Sequence, residues 1–190
     1  MILRQTRDHS LEREKESGLR ILQANETVHM VGQRRRKMKT ATREASVSVD
    51  GPRSVTVLGG IEIVYRAVSE DTEGVYSLFE MTLPPGEGPP PHVHSREDES
   101  WYVLDGVVNF QIGEQSFVAS RGWFGLGPRG VPHGLKAAGT GPAKMLMIVS
   151  PAGFERFFDE LAELTAIPPF DFDQVRVLFE KYGMQIIEPQ

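Results

Sequence analysis

The sequence predicts an all-β barrel or sandwich followed by two helices. Three observations predict it. From Ser46 to Ser150 short apolar runs are separated by Gly and Pro turn signals, as in antiparallel β folds. Within those runs apolar and polar residues alternate, the period of a half-buried strand. After residue 150 the apolar spacing lengthens to three and four, the period of an amphipathic helix.

Taken in order, Val55–Leu58 reads as a strand that turns at Gly59-Gly60, and Ile61–Tyr65 as its neighbour. From Val75 to Leu83, Phe79 and Met81 share one face and Glu80 and Thr82 the other. Trp101–Leu104 is aromatic and branched, and ends at Asp105-Gly106, a hairpin signal. Val108, Phe110 and Ile112 oppose Asn109 and Gln111, and Gly113-Glu114-Gln115 turns the chain. Lys144–Val149 is apolar on both faces and reads as a central strand. Phe154, Phe157, Phe158, Leu161 and Leu164 mark a helix that stops before Pro168-Pro169. Val175, Leu178, Phe179 and Tyr182 mark a second, with Asp173 as the candidate cap and Gly183 at its end. Both helices are expected to lay apolar stripes against the outside of the barrel, and they could also line its mouth.

Length and composition limit the chemistry. The chain has 190 residues, which suggests one folded domain. No apolar run approaches the roughly 20 residues that span a bilayer, and the first ten residues carry no secretory signal, so the expected compartment is the cytoplasm. The absence of Cys excludes disulfides, thiol nucleophiles and Cys-bound metals. A metal site must therefore come from the five His and from carboxylates. Charge is uneven: residues 1–45 hold 11 Lys/Arg and 6 Asp/Glu, including Arg34-Arg35-Arg36-Lys37. This segment reads as a solvated basic extension that holds His9 and His29. It has neither helix-turn-helix periodicity nor aromatic residues for base stacking. The acidic remainder gives no reason to expect nucleic-acid binding or a membrane partner. The division is thus 1–45 extension, 46–150 barrel and 151–190 helical segment.

The other three His carry the chemistry. His92 and His94 are two apart, so on a strand both face inward. Glu99 lies past a short turn, and His133 would come from a later strand. Three imidazoles and a carboxylate suit one divalent transition metal (Fe, Mn, Ni, Cu, Co or Zn) and are poor for Ca or Mg. Phe79, Met81, Trp101, Phe110, Met145 and Met147, inward by alternation, are the candidate substrate pocket. Few Lys or Arg point inward, so the pocket suits an apolar, oxygen-bearing ligand rather than a sugar phosphate. Glu97 and Asp98 read as a solvated turn, with a role as an extra acid or base as the alternative.

The spacing runs Gly86, five residues, His92-Val93-His94, four residues, Glu99, six residues, Gly106; then Gly122, five residues, Pro128-Arg129-Gly130, two residues, His133. In order and spacing this resembles the two motifs of the cupin superfamily, over about residues 55–150. The resemblance implies a double-stranded β-helix, the small jelly-roll barrel, with one metal held by His92, His94, Glu99 and His133. The second motif commonly ends in Asn where this chain has Ala137, which changes hydrogen bonding around the metal rather than the ligands. With Pro151–Phe158 added, the sequence most resembles single-domain quercetin 2,3-dioxygenase-like cupins. There a substrate hydroxyl binds the metal, the ligand carboxylate takes its proton, and dioxygen attacks the enolate. Carried over, Glu99 is both ligand and general base, acting on a small aromatic or enolisable, flavonol-like compound. Two other readings stand beside it: a non-oxidative isomerase, cyclase or decarboxylase of an aromatic or polyketide-like compound, and a non-catalytic small-molecule-binding module. The resemblance also implies a homodimer.

Overall fold

Residues 53–187 are described in a computed structural model. The basic extension, with His9 and His29, lies outside the described residues. Eleven strands, β1 (Ser54–Val57), β2 (Ile61–Ala67), β3 (Ser77–Leu83), β4 (His92–His94), β5 (Asp98–Asp105), β6 (Val107–Ile112), β7 (Gln115–Ser120), β8 (Phe124–Gly127), β9 (His133–Ala137), β10 (Ala143–Ser150) and β11 (Met184–Ile186), form two sheets. One has the order β1-β2-β3-β10-β5-β8 and the other β11-β4-β9-β6-β7, and every pairing is antiparallel. The architecture is the cupin β-barrel with two C-terminal helices.

Alternation places the core between the sheets. Phe79, Met81, Trp101, Val103, Val108, Phe110, Met145 and Met147 are all buried. Removing each large side chain from water contributes roughly 1.5–3 kcal/mol. Edge-on ring contacts join Phe79 to Tyr65 and to Phe158, and Trp101 packs against Phe110.

Three local expectations differ from the structure. Asp105-Gly106 does not close a hairpin: β5 and β6 belong to different sheets, and Gly106 is the corner between them. Gly106 has φ 79°, and a Cβ there would stand 2.7 Å from the Pro142 carbonyl oxygen, so glycine is required twice over. β10 is central, paired with both β3 and β5, yet its outer face is not core. Leu146 is half-buried and Ile148 exposed. The second helix is capped by Asp171, whose Oδ1 accepts from the Asp173 backbone N–H at 2.9 Å, rather than by Asp173 itself.

A single turn, α1 (Ser69–Thr72), precedes β3, and α2 (Glu155–Thr165) and α3 (Phe172–Lys181) follow the barrel. α2 buries Phe157, Phe158 and Leu161, and α3 buries Val175, Leu178 and Phe179. Buried Glu155 anchors the start of α2: its carboxylate accepts from Ser69 Oγ (2.5 Å), Ser77 Oγ (2.7 Å) and the Gly153 N–H (3.2 Å). One turn on, Asp159 accepts from Tyr65 Oη at 2.8 Å and pairs with Arg53 at 2.6 Å. Tyr182 and Lys181 bind Glu160 and so fasten α3 to α2. After Gly183 (φ 75°) the chain re-enters the sheet as β11, a strand that the helical period does not announce. No described helix is long and apolar enough to cross a membrane.

Candidate metal centre

The two sheets share the construction of the site. β4 supplies His92 and His94; β9 supplies His133, directly opposite His92 in register. Glu99 comes from β5 in the facing sheet, where it pairs with Gly127 and Val149. β4 is only three residues long and lies between β9 and β11. Gly127 leaves the space the site needs: a Cβ there would stand 2.8 Å from the Trp101 ring and 3.0 Å from His133 Nδ1.

All four side chains are buried, and one ligand atom from each lies within 4.8 Å of the others. His92 Nε2 is 3.1 Å from His94 Nε2, and Glu99 Oε2 is 3.0 Å from His133 Nε2 and 3.3 Å from His94 Nε2. Metal–ligand bonds of about 2.0–2.2 Å put neighbouring ligand atoms roughly 3–3.5 Å apart and opposite ones about 4.2 Å apart, so the four atoms fit around one ion with little movement. His92 Nδ1–H donates to the Pro90 carbonyl at 2.7 Å and His133 Nδ1–H to the Val131 carbonyl at 3.1 Å. A carbonyl can only accept, so Nδ1 carries the proton in both rings, and when a ring is neutral its Nε2 lone pair faces inward. His94 Nδ1 instead meets Glu97 Oε2 at 3.3 Å.

Electrostatics separates these groups. Burial pushes the His92 pKa down to about 4, so that ring is neutral at pH 7. Burial also works against charge on His94, but hydrogen bonds to Glu97 and Glu99 raise its pKa to about 9. Glu99 is raised by burial and lowered by hydrogen bonds from His133 and His94, which win and hold it well below the usual carboxylate range. Charges are thus arranged so that Glu99 stays ionised where an isolated buried carboxylate would not.

His92 and Glu99 open onto a cavity of about 50 Å³. Of the six residues read as pocket wall, Met81 and Met147 line it. Phe79, Trp101, Phe110 and Met145 are packed in the core instead. The rest of the wall is apolar. Val57, Ile61 and Ile63 come from the first two strands, and Met184 from β11. Phe154, Phe157, Phe158, Leu161 and Phe179 come from the helical segment. Phe154 packs on His94 with ring centroids 5.2 Å apart and Phe179 on His92 at 5.9 Å. The helical period revealed these residues as a stripe, but not the surface they cover. Among the described residues no Lys or Arg lines the cavity. Larger concavities of about 660 and 680 Å³ lie outside the sheets and on the helices and hold none of the four ligands.

Residues 79–149 match the family model described as a cupin domain. KdgF from Halomonas sp. is similar in structure, with 20% identity, a TM-score of 0.50, and cover of 55% of this chain and 90% of its own. A predicted oxalate decarboxylase from Thermotoga maritima has 21% identity, a TM-score of 0.49, and cover of 55% and 95%. An RmlC-like cupin from Shewanella frigidimarina has 17% identity, a TM-score of 0.49, and cover of 55% and 88%. At these identities the likeness is one of fold. No curated protein matches the chain.

Proposed function

We propose that this chain, whose matched domain and fold support membership of the cupin superfamily, is a metal-dependent enzyme. Its ligand would be a small, uncharged, enolisable compound, and the preferred reaction is dioxygenase-like. The observation that carries the reading is the placement of Glu99: ionised, beside three imidazoles, at the wall of an apolar cavity.

His92, His94, His133 and Glu99 would hold the ion. A divalent transition metal supplies Lewis acidity toward a ligand oxygen and, if redox-active, electron transfer. The chain's own residues do the rest. The Glu99 carboxylate accepts the proton of an acidic hydroxyl or Cα–H at hydrogen-bond distance. Phe154, Phe157 and Phe179 exclude water, which strengthens that charge's influence. With no Lys or Arg among the described residues of the wall, a phosphate or carboxylate would meet no compensating charge from them. The size of the cavity restricts the ligand further. A drug-sized molecule occupies roughly 300 Å³ or more, so about 50 Å³ admits only a few non-hydrogen atoms unless the aromatic side chains of α2 and α3 move aside.

The test loads the purified protein with each candidate metal and follows oxygen uptake with small enols and with flavonols. Uptake that Glu99→Gln abolishes supports the reading. Turnover without oxygen uptake would replace it with the non-oxidative isomerase, cyclase or decarboxylase. Tight ligand binding with no turnover would leave a binding module.

The partner we propose is a second copy of the chain. Tyr102, Phe124, Leu126 and Ile148 are exposed together on the outer face of β10-β5-β8. Of the charges flanking them, Glu80 is paired with both Arg66 and Lys144, and Asp98 with Arg129. An exposed apolar patch of this kind suits a two-fold contact between like surfaces.

A further inference from the structure

We propose that Glu97 is a positioning residue of the metal centre, holding His94 in orientation and supplying the second negative charge that balances a divalent ion. This rests on the reading of the four-residue cluster as a metal site.

The turn Ser95–Asp98 is built so that two adjacent carboxylates face opposite ways. Ser95 Oγ donates to the Gly183 carbonyl at 2.7 Å, and Arg96 reaches the Lys181 carbonyl at 3.4 Å, so the first half of the turn is tied to the end of α3. Asp98 is turned outward. Its Oδ1 accepts from the Arg129 backbone N–H at 2.9 Å and from Nε at 3.0 Å, and its Oδ2 from Nη2 at 2.8 Å. Between these ties Glu97 points inward, its side chain 14% exposed, with Oε2 3.3 Å from His94 Nδ1.

The other two imidazoles donate to backbone carbonyls, which carry no net charge. Of the three outer Nδ1 atoms only that of His94 meets a carboxylate, which makes its Nε2 the stronger electron donor. It also changes the sum of charges. A divalent ion on three neutral imidazoles and Glu99 leaves one positive charge in an apolar interior; Glu97 cancels it across the ring. Buried charge is tolerated when it is paired in this way.

The test titrates Co(II) into the metal-free full-length chain and into Glu97→Gln and Asp98→Asn. Glu97→Gln is expected to weaken binding by about 10–100-fold, to shift the visible Co(II) spectrum, and to leave the far-UV circular dichroism of the metal-free protein unchanged. Asp98→Asn, which removes an equal charge one residue away but touches no ligand, is expected to bind as the unaltered chain does. Should Glu97→Gln misfold, Glu97→Asp draws the carboxylate off Nδ1 while keeping its charge, and a loss in the same direction is expected. Unaltered affinity in the Glu97 variants overturns the proposal, as does an equal loss in Asp98→Asn. If the unaltered chain itself binds no Co(II), the metal-site reading fails first and the role of Glu97 falls with it.

Discussion

Glu99 and Glu155 are both buried glutamates, 4% and 5% exposed, and the chain holds them by opposite means. Glu155 is surrounded by neutral donors: two hydroxyls, from Ser69 and Ser77, and the N–H groups of Ser69 and Gly153. Its hydrogen bonding is complete within the protein, and it joins α1, β3 and α2. Glu99 is surrounded by imidazoles, whose inward nitrogens are bases rather than permanent donors. Its surroundings are satisfied only when they share a cation, either a proton or a metal ion. Burial alone therefore does not distinguish an anchoring carboxylate from a ligating one; the partners do.

The contrast can be broken most severely at Glu99. Glu99→Gln should weaken Co(II) or Zn(II) binding by more than about 100-fold, beyond the loss expected for an outer partner, while circular dichroism of the metal-free protein is unchanged. Calorimetric titration measures the first. Retained affinity would remove Glu99 from the ligand set.

Glu155→Ala should do the reverse. It strips the Ser69 and Ser77 hydroxyls of a charged acceptor and should cost about 2–4 kcal/mol of stability, with metal affinity unaltered per folded molecule. The pH dependence supplies an internal check. Burial raises the Glu155 pKa, but hydrogen bonds from Ser69 and Ser77 bring it below the ordinary value of 4.5. A depressed carboxylate contributes its stability above the unfolded pKa and loses it as pH falls through the folded one. Denaturant curves of the variant and the unaltered chain should therefore converge as the pH is lowered below 4.5. A constant gap would assign the loss to packing.

A smaller effect sharpens the same comparison at alkaline pH. The metal-free His94 has a pKa raised to about 9, so an ion must displace its proton at neutral pH. Affinity should rise about tenfold per pH unit from 7 until His94 has titrated. Without metal, the stability that protonated His94 contributes is complete below its ordinary 6.5 and is lost as pH rises through about 9. Metal affinity that is flat over this range would contradict the placement of that proton. The smallest expected change is at the surface: Phe124→Asp should shift light-scattering mass from dimer toward monomer and leave both glutamate sites as they are.

The sequence carried the metal cluster more fully than it carried the cavity. Two-residue periodicity, which is local, put His92 and His94 on one face, and the resemblance of the two motifs in order and spacing added Glu99 and His133. Asp105-Gly106 shows the opposite case. The same dipeptide serves a hairpin or a corner, and the partner of the next strand decides which. Alternation correctly turned Phe79, Trp101, Phe110 and Met145 inward, but it gives no depth along the barrel, and depth separates core from cavity wall. Glu97 was hidden for a similar reason, since the direction of a side chain in a four-residue turn depends on the ties of its neighbours to Gly183 and Arg129.

The pairing of β11 with β4, Met184 opposite His94 and Ile186 opposite His92, has a practical consequence. The strand that carries two of the four proposed ligands borrows one of its two flanks from β11, beyond α3. A proteolytic cut at Gly183 would strip that flank without entering the barrel. Its effect on the proposed metal centre would be that of a chelator, loosening an ion held by His92 and His94 rather than opening the barrel.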